Sequence, residues 1–166
     1  MNKLVLIVFF LLSSFGLLPA SKAGTAQNST VHTFRMSSKM SSFNLSFQQW
    51  KNRVLLVFAP SITSSAYQQQ MQLLQDYNSG FADRDLILVQ VLAAGNSYAN
   101  GQPIDEPSVS LLRDRFNISK EDFRVVLVGK DGGVKRRDAT PVQATAIFNE
   151  IDAMPMRQQE MKERGK

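Results

Sequence analysis

The stretch Arg53-Val54-Leu55-Leu56-Val57-Phe58-Ala59-Pro60 decides the fold of this 166-residue chain. After one charged residue the stretch is continuously apolar, and Pro60 stops it. A strand that faces water on one side alternates apolar and polar residues, whereas a strand buried on both faces is apolar throughout. The stretch therefore predicts a short strand that is buried on both faces of its sheet.

The residues that follow this strand predict a crossover connection. A Ser/Thr-rich loop over residues 61–65 supplies helix N-caps, and a helix is predicted over residues 64–79 with Gly80 as its stop. Residues 86–93 form a second apolar run, so the two strands and the helix predict a right-handed βαβ unit. The buried face of the helix is predicted from apolar spacings of four and three, at Tyr67, Met71, Leu74 and Tyr77.

The next segment predicts a second helix and a hairpin. Residues 95–105 are interpreted as a polar loop, and Pro107 is expected to open a helix. Residues 123–128 are the third strand, and residues 134–137 return as an antiparallel edge strand after the turn Gly129-Lys130-Asp131-Gly132-Gly133, which tolerates positive φ. The apolar face predicted for the second helix consists of Leu111, Leu112 and Phe116.

A third helix closes the pattern. Thr140 is predicted to cap it, Pro141 to occupy its first position, and Gln143 to complete a capping box. The resulting order is βαβαββα, which predicts an α/β three-layer sandwich with a mixed central sheet between two layers of helices. The buried stripe of the last helix is predicted at Ala144, Ile147, Phe148 and Ile151.

Residues 1–23 have the layout of a secretory signal peptide. Lys3 gives a positive start, an apolar stretch runs to Leu18, and Ser21-Lys22-Ala23 offers small residues at the −3 and −1 positions of a cleavage site. A permanent anchor is the alternative, but a span needs about 20 apolar residues and this stretch is shorter. We therefore expect an exported protein, periplasmic or extracellular, with no stable membrane span after cleavage.

Cleavage leaves residues 24–166, which is the size of one domain. Residues 24–46 are rich in Ser, Thr and Asn and are predicted to be a flexible lead-in, with the domain over residues 47–155 and a tail over residues 156–166. From residue 154 onward, methionines alternate with charges. We favour a final turn that packs back on the sheet and then ends in solvent, and the alternative is an amphipathic helix that docks on a partner.

Composition excludes several kinds of chemistry. The chain has no cysteine, which rules out thiol peroxidase, disulfide exchange, cysteine protease and zinc–thiolate activity. Its one histidine, His32, lies in the lead-in, which disfavours a catalytic triad and a histidine metal site. Without Lys3 and Lys22, 17 basic and 14 acidic residues give a net charge of +3, mixed along the chain, so nucleic acid is not an expected partner. No metal and no cofactor are expected.

The predicted order resembles the thioredoxin fold, and two local patterns resemble the peroxiredoxins. Peroxiredoxins carry a proline, a Thr or Ser four residues on, and the reactive cysteine three residues beyond that. Pro60 and Ser64 match this pattern, while Tyr67 stands where the cysteine belongs. The strand that begins at Arg124 is similar to the peroxiredoxin strand that begins with the active-site arginine. The resemblance implies a thioredoxin-like scaffold that lacks its redox residue.

The chain also resembles a secreted family, the domain of unknown function 4174. Three stretches carry the resemblance: residues 54–60 with Gln68-Gln69-Gln70-Met71, residues 126–134 with the glycine turn, and residues 152–164 with Met154-Pro155-Met156-Arg157. That family is thioredoxin-like, and its relatives occur in animal extracellular-matrix and sushi-repeat proteins. The resemblance therefore implies a fold and a secreted location. An oxidoreductase role proposed for some relatives does not pass to a chain without cysteine.

The loop after the first strand is the candidate binding site. It opens a helix, whose free N–H groups and dipole favour an anion, and Arg124 is expected to reach it and bind a carboxylate or phosphate bidentately. The alternative, which we favour, is that hydroxyls cap the helix, Arg124 ends a strand in water and Tyr67 is a core tyrosine with a bonded hydroxyl. The predicted ligand-binding residues are Ser61, Thr63, Ser64, Ser65, Tyr67 and Arg124.

Three functional hypotheses are compatible with these observations, and a fold alone does not choose among them. The leading one is an exported, non-catalytic binding module whose partner is an unknown protein or a small anionic ligand. The alternative is a cysteine-independent hydrolase or lyase that uses Ser64 and Arg124. The third is a structural envelope protein, for which deletion of residues 154–166 changes the oligomeric state and little else.

Overall fold

The computed structural model describes residues 40–165. The predicted signal peptide, His32 and the lead-in up to residue 39 lie outside the described residues. A short 3-10 helix, Leu45–Gln48, precedes the sheet. The strands are β1 (Arg53–Ser61), β2 (Leu86–Ala94), β3 (Ser97–Ala99), β4 (Gln102–Ile104), β5 (Arg124–Val128) and β6 (Val134–Asp138). The helices are α1 (Ser65–Leu74), α2 (Asn78–Asp83), α3 (Glu106–Phe116), α4 (Ala144–Asp152) and α5 (Pro155–Glu163).

The six strands form one mixed sheet in the order β4-β3-β2-β1-β5-β6. Strand β1 lies near the middle, parallel to β2 and antiparallel to β5. Every residue from Arg53 to Ala59 is buried, as the uninterrupted apolar run predicts. The predicted α/β class, the mixed sheet and the thioredoxin-like order of the main elements are confirmed.

Alternation along β1 divides the core between the two faces of the sheet. Leu55, Val57 and Ala59 pack with α1 and α4 on one face, and α4 contributes its predicted stripe in full. Val54, Leu56 and Phe58 pack on the other face, where α3 covers them. The Phe58 and Phe116 rings meet edge to face with centroids 5.9 Å apart.

The first crossover holds two helices instead of the single predicted one. Helix α1 ends at Leu74, Asp76 takes a positive φ of 67°, and α2 begins at Asn78. The break turns Tyr77 out of the predicted buried stripe, and its exposed ring meets Phe148 edge to face. Gly80, predicted as a helix stop, lies inside α2, where an added Cβ would come within 2.6 Å of the Phe148 ring. Close packing on that ring explains a glycine at this position.

The loop predicted over residues 95–105 is a β-hairpin. Strands β3 and β4 pair antiparallel around Asn100 and Gly101, whose φ values are 48° and 79°. Two successive positive φ angles are what a two-residue turn of type I′ requires, and Asn-Gly is the preferred pair for it. The prediction of a polar loop over residues 95–105 was therefore wrong. The two strands are only three residues long, which is too short to leave a clear pattern in the sequence.

Two predicted helix details are also corrected. Leu111, assigned to the apolar face of α3, is 68% exposed, and Val109 is buried with Leu112 and Phe116 instead. Helix α4 begins at Ala144 with Gln143 at its N-cap and no side-chain capping bond, so Thr140 and Pro141 precede the helix. The helix starts three residues later than the capping-box pattern predicts.

Both ends of the described chain are packed against the sheet or its helices. Ser41 pairs in parallel with Ile104, and the backbone N–H of Phe43 donates to Ser108 Oγ at 2.8 Å. Packing therefore begins at Ser41, within the stretch predicted as the lead-in. At the other end, α5 carries the buried Arg157, so the last helix is part of the packed domain.

Candidate functional site

The predicted loop closes on itself at the end of β1. The hydroxyls of Ser61 and Thr63 lie 2.8 Å apart, and the backbone N–H of Thr63 donates to Ser61 Oγ at 3.3 Å. Ser64 occupies the N-cap position of α1, but its side chain makes no capping hydrogen bond. Ser65 is the exposed first residue of the helix. The structure thus brings the four hydroxyl residues together, with Ser61 and Thr63 paired.

Tyr67 points from α1 into the core. Its side chain is 8% exposed, and its hydroxyl donates to Gln90 Oε1 at 2.7 Å. Burial, and secondarily the nearby Tyr98, raises the pKa of the Tyr67 phenol. The phenol therefore stays protonated near neutral pH, as a core tyrosine with a satisfied hydroxyl does.

Arg124 lies on the other face of the sheet. It is the register partner of Phe58, and directly opposite residues in antiparallel strands share a face. Phe58 packs beneath α3, so the sheet separates Arg124 from Tyr67. The Arg124 guanidinium donates to the carbonyl of Phe123 at 2.6 Å and lies 3.8 Å from the Asp122 carboxylate. Both contacts of the Arg124 guanidinium are therefore with the two residues that precede it in the sequence.

Sequence reasoning missed a set of buried arginines. Arg113, on α3, is 6% exposed and donates to the carbonyls of Ser119 at 2.7 Å, Ala59 at 2.9 Å and Val91 at 3.1 Å. It thereby bonds carbonyls near the C-terminal ends of both parallel strands. Burial lowers the pKa of the Arg113 guanidinium. The nearby acidic residues, with Glu106 having the largest effect among them, raise it but do not outweigh the burial. The signal available in the sequence was its spacing, because Arg113 follows Val109 by four residues and precedes Phe116 by three, which places it on the same helix face.

A larger ion-pair network joins the start of β1, the β5–β6 turn and α5. Arg53, 1% exposed, donates to both carboxylate oxygens of Glu160, at 3.1 and 3.2 Å. Lys130 donates to Glu160 and to Asp85, both at 2.8 Å. Burial on its own would raise the carboxyl pKa values of Glu160 and Asp85, but the bonds from Lys130 and the other nearby cations outweigh it and lower them. Both acids are therefore charged at neutral pH.

The same network continues to the end of α2. Arg157, also 1% exposed, is paired with Asp83 and with Asp152. Arg84 is bonded to Asp152 as well, and its guanidinium carbon lies 4.4 Å from the centre of the Phe148 ring. From the sequence, these charges were assigned no role. Only the tertiary fold shows that they are the groups that fix α5 to the domain.

Residues 40–165 contain neither a cluster of metal-binding side chains nor a membrane-spanning helix. Within that range, no three acidic or histidine side chains are grouped so as to hold a metal ion. None of the helices described there combines the length and the apolar character needed to cross a bilayer.

Comparison with known proteins identifies a family. Residues 44–160 match the family described as Domain of unknown function (DUF4174). Coiled-coil domain-containing protein 80 of Danio rerio is 30% identical over 133 residues, covering 70% of this chain and 15% of that protein. Sushi repeat-containing protein SRPX of Homo sapiens is 32% identical over 114 residues, covering 67% of this chain and 25% of that protein. The chain thus spans a quarter or less of the length of these relatives.

Solved structures support the same fold. The reduced 2-Cys peroxiredoxin of Plasmodium vivax superposes with a TM-score of 0.53 at 18% identity, covering 70% of this chain and 85% of that one. Thioredoxin peroxidase I of Plasmodium yoelii gives a TM-score of 0.50 at 20% identity, covering 74% and 81%. At this identity the likeness concerns the fold alone. With the family match over residues 44–160, the chain belongs to the DUF4174 family and has a thioredoxin-like fold.

Proposed function

We propose that this chain is an exported, non-catalytic binding module on a thioredoxin-like scaffold. One observation carries the proposal: Tyr67 stands where the peroxiredoxin pattern has its reactive cysteine, and it is buried and bonded to Gln90. Thiol catalysis needs a thiolate, and the chain has no cysteine anywhere. A protonated core phenol is no substitute for a thiolate, so the scaffold remains while its redox chemistry is gone.

Export rests on the leader and on the family. The apolar stretch after Lys3 and the small residues at Ser21 and Ala23 support secretion and cleavage.

The relatives named above are much longer than the shared region, which covers 25% of the human sushi repeat-containing protein. A domain used as one part of larger chains fits a binding role better than a self-contained enzyme.

The loop at residues 61–65 remains our predicted site for a small anion, with its four hydroxyl residues grouped there. Arg124 does not share a face of the sheet with Tyr67, because the sheet lies between the two side chains. The alternative function, a hydrolase or lyase, needs Arg124 and Ser64 to act on one substrate. A turnover experiment therefore distinguishes this alternative from the non-catalytic binding module.

The experiment measures turnover by the secreted form, residues 24–166, which contains every element that the structure describes. Hydrogen peroxide with a dithiol, a disulfide substrate, and p-nitrophenyl esters and phosphates are offered to the wild type, Ser64→Ala and Arg124→Ala. We expect every rate to equal that of buffer without protein. A turnover that disappears in Arg124→Ala, while the thermal melt is unchanged, would establish the hydrolase or lyase instead.

A further inference from the structure

Two of the three stretches that carry the family resemblance line one cavity, together with the residue that precedes the other stretch. Arg53 immediately precedes the first stretch, the glycine turn belongs to the second, and α5 begins in the third. The cavity measures about 420 Å³, which is in the range of small-molecule sites. Its lining consists of Arg53, Gly129, Lys130, Asp131, Lys135, Met154, Pro155 and Met156. None of these residues belongs to the site predicted at residues 61–65.

The charged residues that line the cavity are mainly cations: Arg53, Lys130 and Lys135 lie there beside one acid, Asp131. Among the described residues, five cations and four carboxylates form the connected ion-pair network beside the cavity: Arg53, Arg84, Lys130, Arg157 and Arg164 with Asp83, Asp85, Asp152 and Glu160. At the rim, Lys135 and Asp131 form a separate pair at 2.6 Å. The cavity therefore favours a ligand with a single negative charge, because the Asp131 carboxylate at the rim disfavours a second one.

Arg53, one of the residues that line the cavity, has a buried donor with no partner in the described structure. Arg53 is 1% exposed, and its two terminal nitrogens are bonded to Glu160 and to the carbonyl of Arg84. Its Nε is one of three arginine Nε atoms that are buried without an acceptor in the described structure. Leaving a buried N–H unsatisfied is costly, more so on a charged group. This Nε is closed off from solvent, so a ligand in the cavity meets the charge of the Arg53 guanidinium and not this N–H.

Three consecutive residues of the lining are apolar. Met154, Pro155 and Met156 form the start of α5, and Met156 is 41% exposed. Methionine side chains adapt to irregular apolar surfaces, which suits a ligand with a hydrophobic body. A lining that combines cations with these apolar side chains matches a molecule that carries one carboxylate next to apolar carbons.

We propose that this cavity binds a small monocarboxylate with an apolar body. The carboxylate faces Arg53 and Lys130, and the body packs on Met154, Pro155 and Met156. This chemistry has two sources, a free organic acid and the C-terminal residue of a peptide. The site goes beyond the binding-module proposal, since turnover assays test that proposal and ligand titrations test this one.

The test follows the methyl signals of Met154 and Met156 in the secreted form by NMR. Octanoate and octanamide are the first pair of probes, and a tripeptide ending in leucine, with a free or an amidated C-terminus, is the second. We expect saturable shifts with the acids and affinity at least about tenfold weaker for the amides, because they lack the charge. Stronger binding of octanoate than of the peptide acid identifies a free acid as the source, and the reverse identifies a peptide.

Two variants add the same charge to the same helix. Met156→Glu places a carboxylate at the cavity, and Gln158→Glu places one on the exposed, non-lining side of α5. We expect Met156→Glu to weaken octanoate binding by about tenfold or more and Gln158→Glu to leave it nearly unchanged. The proposal is overturned if acid and amide bind equally, if both variants behave alike, or if no saturable shift appears at either methionine.

Discussion

Arg53 and Glu160 lie 107 residues apart in the sequence and are bonded through both terminal nitrogens of the guanidinium, at 3.1 and 3.2 Å. Arg53 begins the central strand, and Glu160 belongs to the last helix. The pair therefore fixes α5 to the innermost part of the sheet. Lys130 donates to the same carboxylate, so Glu160 is hydrogen-bonded to two cations.

Replacing the shared acid is expected to destabilise the domain. Glu160→Gln leaves Arg53, at 1% exposure, without its carboxylate. Removing one partner of a buried ion pair typically costs about 3 kcal/mol or more, because the other charge stays buried and uncompensated. Urea denaturation followed by circular dichroism measures the free energy of unfolding.

Glu163→Gln is the matched control, since Glu163 lies on the exposed side of the same helix and bonds only Gln159 among the described contacts. It is expected to change stability by less than about 0.5 kcal/mol. The double variant Arg53→Met with Glu160→Gln is expected to regain part of the loss, because the stranded cation is gone. Equal effects of the two single variants would show that the pair does not hold α5.

The network predicts a loss of stability in acid. The pKa values of Asp85 and Glu160 are lowered from their ordinary 3.8 and 4.5. A carboxylate whose folded pKa is depressed stabilises the fold above its unfolded pKa, and that contribution is lost as the pH falls through the folded pKa. The free energy of unfolding should therefore fall steadily below about pH 4.5.

Comparing variants isolates this contribution. In Glu160→Gln one of the titrating groups is absent, so its curve of stability against pH should be flatter in acid and should approach the wild-type curve. A constant difference between the two curves from pH 7 to pH 3 would mean that Glu160 does not titrate in the folded protein with a lowered pKa.

Deletion of α5 is expected to unfold the domain. Removing residues 155–166 takes away Arg157 and Glu160 and leaves Asp83, Asp152 and Arg53 without these partners. We expect a large fall in Tm or no cooperative melt, whereas deletion of residues 165–166 alone should have little effect. The assembly hypothesis makes the opposite prediction, an unchanged melt with an altered oligomeric state by light scattering.

Gly80 is expected to resist substitution. An added Cβ would lie 2.6 Å from one carbon of the Phe148 ring, which is buried in the core. Alanine favours helix over glycine by about 1 kcal/mol, but forcing an atom into a packed core typically costs about 1–3 kcal/mol. Gly80→Ala should therefore be destabilising on balance, while Ser79→Ala on the exposed side of α2 should not be. A higher Tm for Gly80→Ala would contradict the close contact with Phe148.

Long apolar runs made most of the fold predictable. Strand β1 and the buried stripe of α4 could be predicted from the spacing of apolar residues. A strand buried on both faces is apolar throughout, and a helix buried on one face repeats apolar residues every three or four positions. The β3–β4 hairpin was missed because three-residue strands carry too little pattern, although Asn100-Gly101 was a usable turn signal. The break after Leu74 was missed because the apolar spacing continues to Tyr77 across the left-handed Asp76.

The candidate site was harder to predict, for two physical reasons. The face that a strand residue occupies depends on register, which puts Arg124 beside Phe58 and away from Tyr67. Charged residues are usually exposed, so Arg53 and Arg157 gave no sign in the sequence that both would be buried. Their partners lie far along the chain and meet them only in the folded protein.

The bond between Arg53 and Glu160 also sets the order of events during synthesis. A chain emerges from the ribosome N-terminus first, so Arg53 appears 107 residues before the carboxylate that compensates its charge. Until then the central strand carries a cation that it cannot bury without a large penalty. A nascent chain that has not yet made α5 is therefore expected to fold less readily than the complete chain, because the carboxylate that compensates Arg53 arrives last.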